Sequence, residues 1–109
     1  RQPQKNQQVV VYFDTLNEVI DEYVGMIEDL ADASRKNEEE TDFTSTLSAL
    51  SSVANSTMKI APLLEKIEQL EAKRDIMKEN LTAQEMIAFT NTYVKMLMRI
   101  EEANLKMNK

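Results

Sequence analysis

A chain of 109 residues is long enough for one domain with a modest core. Its composition, with 42% apolar residues, a single Gly and two Pro, favours an all-α fold over a disordered chain. The net charge of −6 and the absence of a basic stripe argue against nucleic-acid binding. The chain has no His and no Cys, which excludes thiol chemistry, a Ser-His-Asp triad and an ordinary zinc site. No run approaches the ~18 apolar residues of a membrane span.

The first eight residues are polar and Gln-rich, and we interpret residues 1–8 as a tether ahead of a single helical-bundle domain over residues 9–107. Since the chain begins at Arg1 rather than Met, a signal peptide or a lipidated Cys is one expectation for what preceded it. An arbitrary boundary explains the same observation.

The first predicted helix runs from about residue 8 to 36, and two faces define it. One face is apolar, with residues recurring at steps of three and four: Phe13, Leu16, Ile20, Tyr23, Ile27 and Leu30. The opposite face is acidic: Asp14, Glu18, Asp21, Glu22, Glu28, Asp29 and Asp32. This pattern predicts a helix that needs partners on its apolar face, and an acidic face that would attract a basic partner. Gly25 lies within the acidic face, either as a tolerated exposed site or as a point of close approach by a partner.

The second predicted helix begins near Phe43, with Thr41 or Asp42 as its N-cap. Its apolar residues before Pro62 are expected to face inward: Leu47, Leu50, Ala54, Met58 and Ala61. The outward face is then uncharged and is a second candidate interaction surface: Thr44, Ser45, Ser48, Ser51, Ser52, Asn55 and Ser56. After Pro62 the inward residues, Leu63, Ile67, Leu70 and Met77, lie about 120° further round the helix. Because no turn residues precede Pro62, a kink or a collinear restart is expected rather than a reversal.

The clearest local signal is a capping box in which Thr82 is the N-cap and Glu85 follows three residues later, flanked by Leu81 and Met86 as a hydrophobic staple. It predicts a third helix from Ala83 to about Met107. This helix carries one apolar stripe, Phe89, Tyr93, Met96, Leu97, Ile100 and Ala103, and a second stripe, Ile87, Val94, Met98 and Leu105. So wide an apolar arc indicates a helix wedged between two others, or one with a partner outside the domain.

Short loops between these helices predict an antiparallel up-down-up three-helix bundle, with the middle helix kinked or restarted at Pro62. The alternative is a four-helix bundle in which Pro62 divides the middle helix. We expect no catalytic, cofactor-binding or metal-binding residues, because the acids lie on outer faces and the methionines lie on apolar stripes. The acidic segment at residues 38–42 lacks the pattern of a calcium loop. The candidate interaction residues are Asp14, Glu18, Asp21, Glu28 and Asp32 on the first helix, and Ile87, Val94, Met98 and Leu105 on the third.

Two stretches resemble a family of short, all-helical predicted lipoproteins of Bacteroides-type bacteria, whose members have no assigned function. They are the acidic-aromatic first helix, from Phe13-Asp14-Thr15-Leu16 through Asp21-Glu22-Tyr23-Val24, and the start of the last helix, Leu81-Thr82-Ala83-Gln84-Glu85. The resemblance implies an exported domain, periplasmic or tethered to the outer membrane through a lipid that this chain does not carry. It implies no functional residues.

Three functions fit these observations. The first is a non-catalytic interaction or spacer module of the bacterial cell envelope, with another protein chain as its partner. The second is a small-molecule sensor or carrier, with an apolar site near Pro62 lined by Ile60, Leu63, Leu64 and the aromatic residues of the first helix. The third is a subunit of a homo- or hetero-oligomer, paired through the second stripe of the third helix or through the Ser-rich face of the second.

Overall fold

Three helices make up the computed structural model, which describes residues 2–39 and 42–107, with side chains described for 7–36, 38–39 and 42–107. They are α1 (Gln2–Glu39), α2 (Phe43–Lys78) and α3 (Ala83–Met107). This confirms the predicted all-α, up-down-up bundle. The four-helix alternative is not adopted, because α2 is one helix that continues through Pro62. Pro62 is exposed, so water can reach the carbonyl group that loses its helical hydrogen bond.

The first helix begins at Gln2, about six residues earlier than predicted. Residues 2–8 contain no Gly, and the Gln and Lys residues among them are good helix formers. Pro3 falls in the first turn, where its missing N–H group would have no helical acceptor in any case. The role of residues 1–8 as a tether stays a prediction.

The central helix of the bundle is α1, which packs along both other helices, whereas α2 and α3 contact each other far less. The predicted apolar face of α1 is confirmed, since Leu16, Ile20, Tyr23 and Ile27 are buried and Phe13 is half-buried. The expectation that the third helix is wedged between two others was wrong. It is α1 that lies between two neighbours.

The predicted inward face of the first half of α2 was also wrong. Leu47, Leu50 and Met58 are exposed, together with Ala54 and Ala61. The positions that contact α1 instead recur at alternating steps of four and three: Ala49, Val53, Ser56, Ile60, Leu63, Ile67 and Leu70. This is the spacing of a coiled-coil seam, and it keeps its phase through Pro62, so the expected 120° shift does not occur. Small residues occupy the seam near the helical hairpin, where Ala33 and Ala49 are both buried.

Two predicted caps are confirmed. The Asp42 carboxylate accepts a hydrogen bond from the Ser45 backbone N–H (3.1 Å) at the start of α2. The alternative cap, Thr41, lies outside the described residues. At the start of α3, the Thr82 backbone N–H donates to Glu85 Oε1 (2.9 Å) and the Glu85 N–H donates to Thr82 Oγ1 (3.2 Å). This reciprocal capping box fixes the start of α3 after a short turn, so that α3 runs antiparallel to α2.

The bundle is a rod with principal dimensions of 63 × 21 × 17 Å. The shorter α3 ends near Glu28, about two thirds of the way along α1, where Lys106 Nζ lies 3.0 Å from Glu28 Oε2. Beyond that level, the end of α1 and the beginning of α2 continue as a two-helix tip. One side of the α2 segment in this tip therefore has no neighbour among the described residues.

Candidate interaction surfaces

A cluster of aromatic and polar side chains joins the three helices in the core. Tyr12 is only 1% exposed, and its hydroxyl group donates a hydrogen bond to the Leu70 carbonyl oxygen (2.9 Å). The Tyr12 ring stacks on Phe89 with ring centroids 5.6 Å apart. Sequence reasoning missed Tyr12 because Phe13 fits the apolar spacing equally well. In the structure Tyr12 faces α2, and Phe13 lies against Phe89 of α3.

Charged groups lie beside this cluster. The Arg74 guanidinium group lies 4.8 Å from the centroid of the Tyr93 ring, and the Tyr93 hydroxyl group donates to Glu71 Oε2 (3.4 Å). Burial raises the pKa of Tyr12 and also that of Tyr93, in both cases because the phenolate would lose hydration. The cluster therefore holds neutral phenols that connect the helices.

The acidic face of α1 is exposed, but part of its charge is compensated within the chain. Asp21 pairs with Arg99 of α3, Glu28 pairs with Lys106, and Asp32 pairs with Arg35 on its own helix. The Arg99 guanidinium group also donates to Asn17 Oδ1 (2.7 Å). Two acids of this face, Asp21 and Glu28, thus have basic partners on α3, and attraction of an external basic partner stays a prediction.

Two candidate residues of that face have no ion pair among the described residues: Asp14 and Glu18. At Gly25, between these acids and Asp32, an added Cβ atom would meet nothing within 4 Å. Gly25 is half-buried, and no close approach by the described residues explains it. Close approach by a partner stays a prediction.

The second stripe of the third helix is exposed along its whole length. We call it the α3 outer stripe: Ile87, Val94, Met98 and Leu105. Its side chains are between 45% and 63% exposed, whereas Phe89, Tyr93 and Ala103 on the opposite side are buried against the bundle. The structure brings these four predicted residues together on one face and provides no neighbour for them among the described residues.

A second exposed apolar face lies on α2. Sequence reasoning missed it because all of its residues except Phe43 were expected to face inward. We call it the α2 outer stripe: Phe43, Leu47, Leu50, Ala54, Met58 and Ala61. Phe43 is 79% exposed and Met58 is 74% exposed. The signal that could have revealed this face is the absence of charge from residues 43–58, which leaves both sides of the helix equally suitable for burial.

The predicted apolar site near Pro62 is an open groove of about 450 Å³. Met26, Met58 and Leu63 line it together with charged residues, whereas Ile60, Leu64 and the aromatic residues of α1 do not. The aromatic residues Tyr12 and Phe13 lie toward the other end of the bundle, beside Phe89. The set of residues expected for a small-molecule site is therefore not brought together.

Comparison with protein-family models, with curated proteins and with solved structures finds no match to this chain. Within residues 2–39 and 42–107, no helix is both long and apolar enough to cross a membrane. The same residues contain no group of three or more acidic side chains arranged to hold a metal ion. Part of the acidic segment at 38–42 lies outside the described residues.

Proposed function

We propose that this chain is a non-catalytic helical interaction module that acts by binding another protein chain through the α3 outer stripe. The exposure of four large apolar side chains in one line is the observation that carries the proposal. Asn91 and Glu101 lie between members of this line, and exposed apolar residues rimmed by polar ones commonly mark a binding site.

The spacing of the stripe suits a helical partner. From Ile87 to Leu105 the stripe extends for about 27 Å at a rise of 1.5 Å per residue. Lys95 and Glu102 are exposed beside it and supply the polar rim that such interfaces use. Glu101 lies on the same side of α3, so a partner with a basic group opposite Glu101 would be favoured over one without.

A spacer is the second candidate function, and the shape of the bundle favours it. A rod of 63 Å holds its two ends far apart, which is sufficient for a module that separates an anchor from another domain. A position in the bacterial cell envelope is part of both proposals and depends on the resemblance of the first and last helices to predicted lipoproteins.

Site-specific photo-crosslinking in the source cells separates binding from spacing. A photoreactive residue at Val94 or Met98 is expected to give one adduct of defined mass. The same residue at Thr92, which is exposed about 140° round α3 from the stripe, is the matched control and should give none. The double variant Ile87→Glu/Leu105→Glu should abolish the adduct. Equal labelling at all three positions, or no adduct at Val94 and Met98, would refute the interaction module and leave the spacer.

A further inference from the structure

The α2 outer stripe lies on the exposed surface of α2, about 130° round the helix from the seam that packs on α1, and its Met58 also borders the groove beside Met26. Its residues are separated by steps of four and three, as in the seam that packs on α1, so the helix carries two apolar faces. The first half of the stripe lies in the two-helix tip, where α3 has already ended. Hence no described element obstructs the approach of another helix to this face.

We propose that the α2 outer stripe is a homodimer surface, on which α2 of a second copy packs antiparallel about a two-fold axis at the level of Ser52. This inference goes beyond the proposed function, because it concerns a different face of the molecule and names the partner. Three properties of the stripe support it: its charge, its shape and its extent.

The charge pattern favours a second copy. The protein has a net charge of −6, and the exposed acids of α1 would repel one another if two copies met there. No charged residue occurs between Asp42 and Lys59, so two copies can meet along this segment without like-charge repulsion or desolvation of an ion. Helices that pair with a chain of different sequence are commonly selected by charged residues beside the seam, and residues 43–58 contain no charged residue.

The shape of the stripe is complementary to itself. In an antiparallel pair with its axis at residue 52, Phe43 lies opposite Ala61 of the second copy, and Leu50 lies opposite Ala54. Each large side chain at these positions thus meets a small one, and Leu47 lies opposite Thr57 and Met58. A two-fold interface requires this self-matching, because the same patch serves both partners. A parallel pair would place Phe43 against Phe43 and Ala54 against Ala54, which leaves steric crowding at one level and a gap at another.

The extent of the stripe sets the expected affinity. Exposed Glu65 and Glu68 follow Ala61 on the same side of α2 and end the apolar face. From Phe43 to Ala61 the stripe is about 27 Å long. Two copies would bury on the order of 1,000 Å² in total, close to the lower limit of specific interfaces. We therefore expect a reversible dimer that forms at micromolar concentration.

Sedimentation velocity of the purified chain over a range of about 1 to 500 µM tests this inference. The wild type is expected to shift from the 12.5 kDa monomer toward twice that mass as the concentration rises. Leu50→Glu should weaken dimerisation at least about tenfold. Met98→Glu is the matched control, because Met98 lies on the α3 outer stripe and is 55% exposed, against 48% for Leu50. This variant should dimerise like the wild type. A wild type that stays monomeric throughout, or a Met98→Glu variant that loses the dimer while Leu50→Glu keeps it, would overturn the proposal.

A disulfide experiment determines the orientation of the two copies and does not depend on the folding of the Leu50→Glu variant. The chain has no native Cys, so Phe43→Cys and Ala61→Cys chains can be mixed and oxidised without background reactions. An antiparallel dimer predicts the mixed disulfide as the main product. A parallel pair, or random collision, predicts the two self-linked products at least as abundantly and refutes the proposed arrangement. Neither result depends on the crosslinks expected at Val94, so failure of this inference is distinguishable from failure of the proposed function.

Discussion

The buried hydroxyl group of Tyr12 provides a quantitative test of how α1 is held against α2. It donates to the Leu70 carbonyl oxygen at 2.9 Å, and the residue is 1% exposed. In Tyr12→Phe the ring and its stacking on Phe89 remain, and the Leu70 oxygen keeps its helical hydrogen bond from the amide four residues later. We therefore expect the free energy of unfolding at pH 7 to fall by about 1 kcal/mol, the net contribution of one hydrogen bond.

The same variant should behave differently at alkaline pH. Burial raises the pKa of Tyr12 in the folded state, with Tyr93, Glu71 and Asp75 adding to the increase and Arg74 opposing it. Above pH 10 the unfolded chain loses this proton while the folded protein keeps it, so the unfolded state binds fewer protons and stability falls as the pH rises. At pH 11, one such tyrosine has lost about 1.4 kcal/mol of stabilisation. The wild type should then be no more stable than Tyr12→Phe.

Urea unfolding at pH 7, 9, 10 and 11, followed by circular dichroism, measures this difference. All other titratable groups are the same in the two proteins, so the comparison isolates the contribution of the Tyr12 hydroxyl group and its interactions. Ile20→Val is the control, because it removes one buried methyl group at a cost of about 1 kcal/mol without changing any titrating group. A stability difference between wild type and Tyr12→Phe that stays constant from pH 7 to pH 11 would refute the reasoning.

Three further predictions concern local features of the helices. Gly25→Ala should raise the free energy of unfolding by up to about 1 kcal/mol, since the helix interior gains a better helix former and the added methyl group meets nothing within 4 Å; a lower stability in urea would contradict this. Thr82→Ala should lower stability by about 1 kcal/mol by removing the side-chain acceptor of the Glu85 N–H, and Thr82→Ser, which keeps the hydroxyl group, should restore most of it. A double-mutant cycle on Arg99 and Asp21, both substantially exposed, should give a coupling below about 1 kcal/mol that decreases further in 1 M salt, and a salt-independent coupling would show that the pair is better shielded than its exposure indicates.

Local signals in the sequence predicted the features that depend on few residues. The capping box at Thr82 and Glu85 needs only two side chains three positions apart, and it forms as expected. The apolar face of α1 was predictable because acids occupy the other side of that helix, which leaves one face for burial. The residues that lie opposite a helix face in the folded chain were not predictable in this way. The pairing of Asp21 with Arg99 joins residues 78 positions apart, and no local pattern specifies it.

The first half of α2 shows why sequence reasoning can assign the wrong inward face to a helix. The large apolar residues Leu47, Leu50 and Met58 indicate one inward face. Ala49 and Ser56, on another side of the helix, instead lie in the contact with α1. With no charge on either face, periodicity supports both choices. The contact with α1 favours the small residues, because two helices that meet near a tight connection pack closely.

Exposed apolar faces on α2 and α3 follow from the way the bundle is built. Because α1 packs along both other helices and α2 and α3 contact each other far less, α2 and α3 each bury one side mainly against α1 and leave other sides open. The large exposed apolar residues among those described follow this division, since the only ones on α1 are Val10 and Val11 near its beginning. Most apolar residues of α1 therefore lie in the core, whereas those of α2 and α3 divide between the core and exposed surfaces that include the two outer stripes. A bundle whose function needed only its own stability would gain from polar residues on those stripes, so their apolar character supports a binding role.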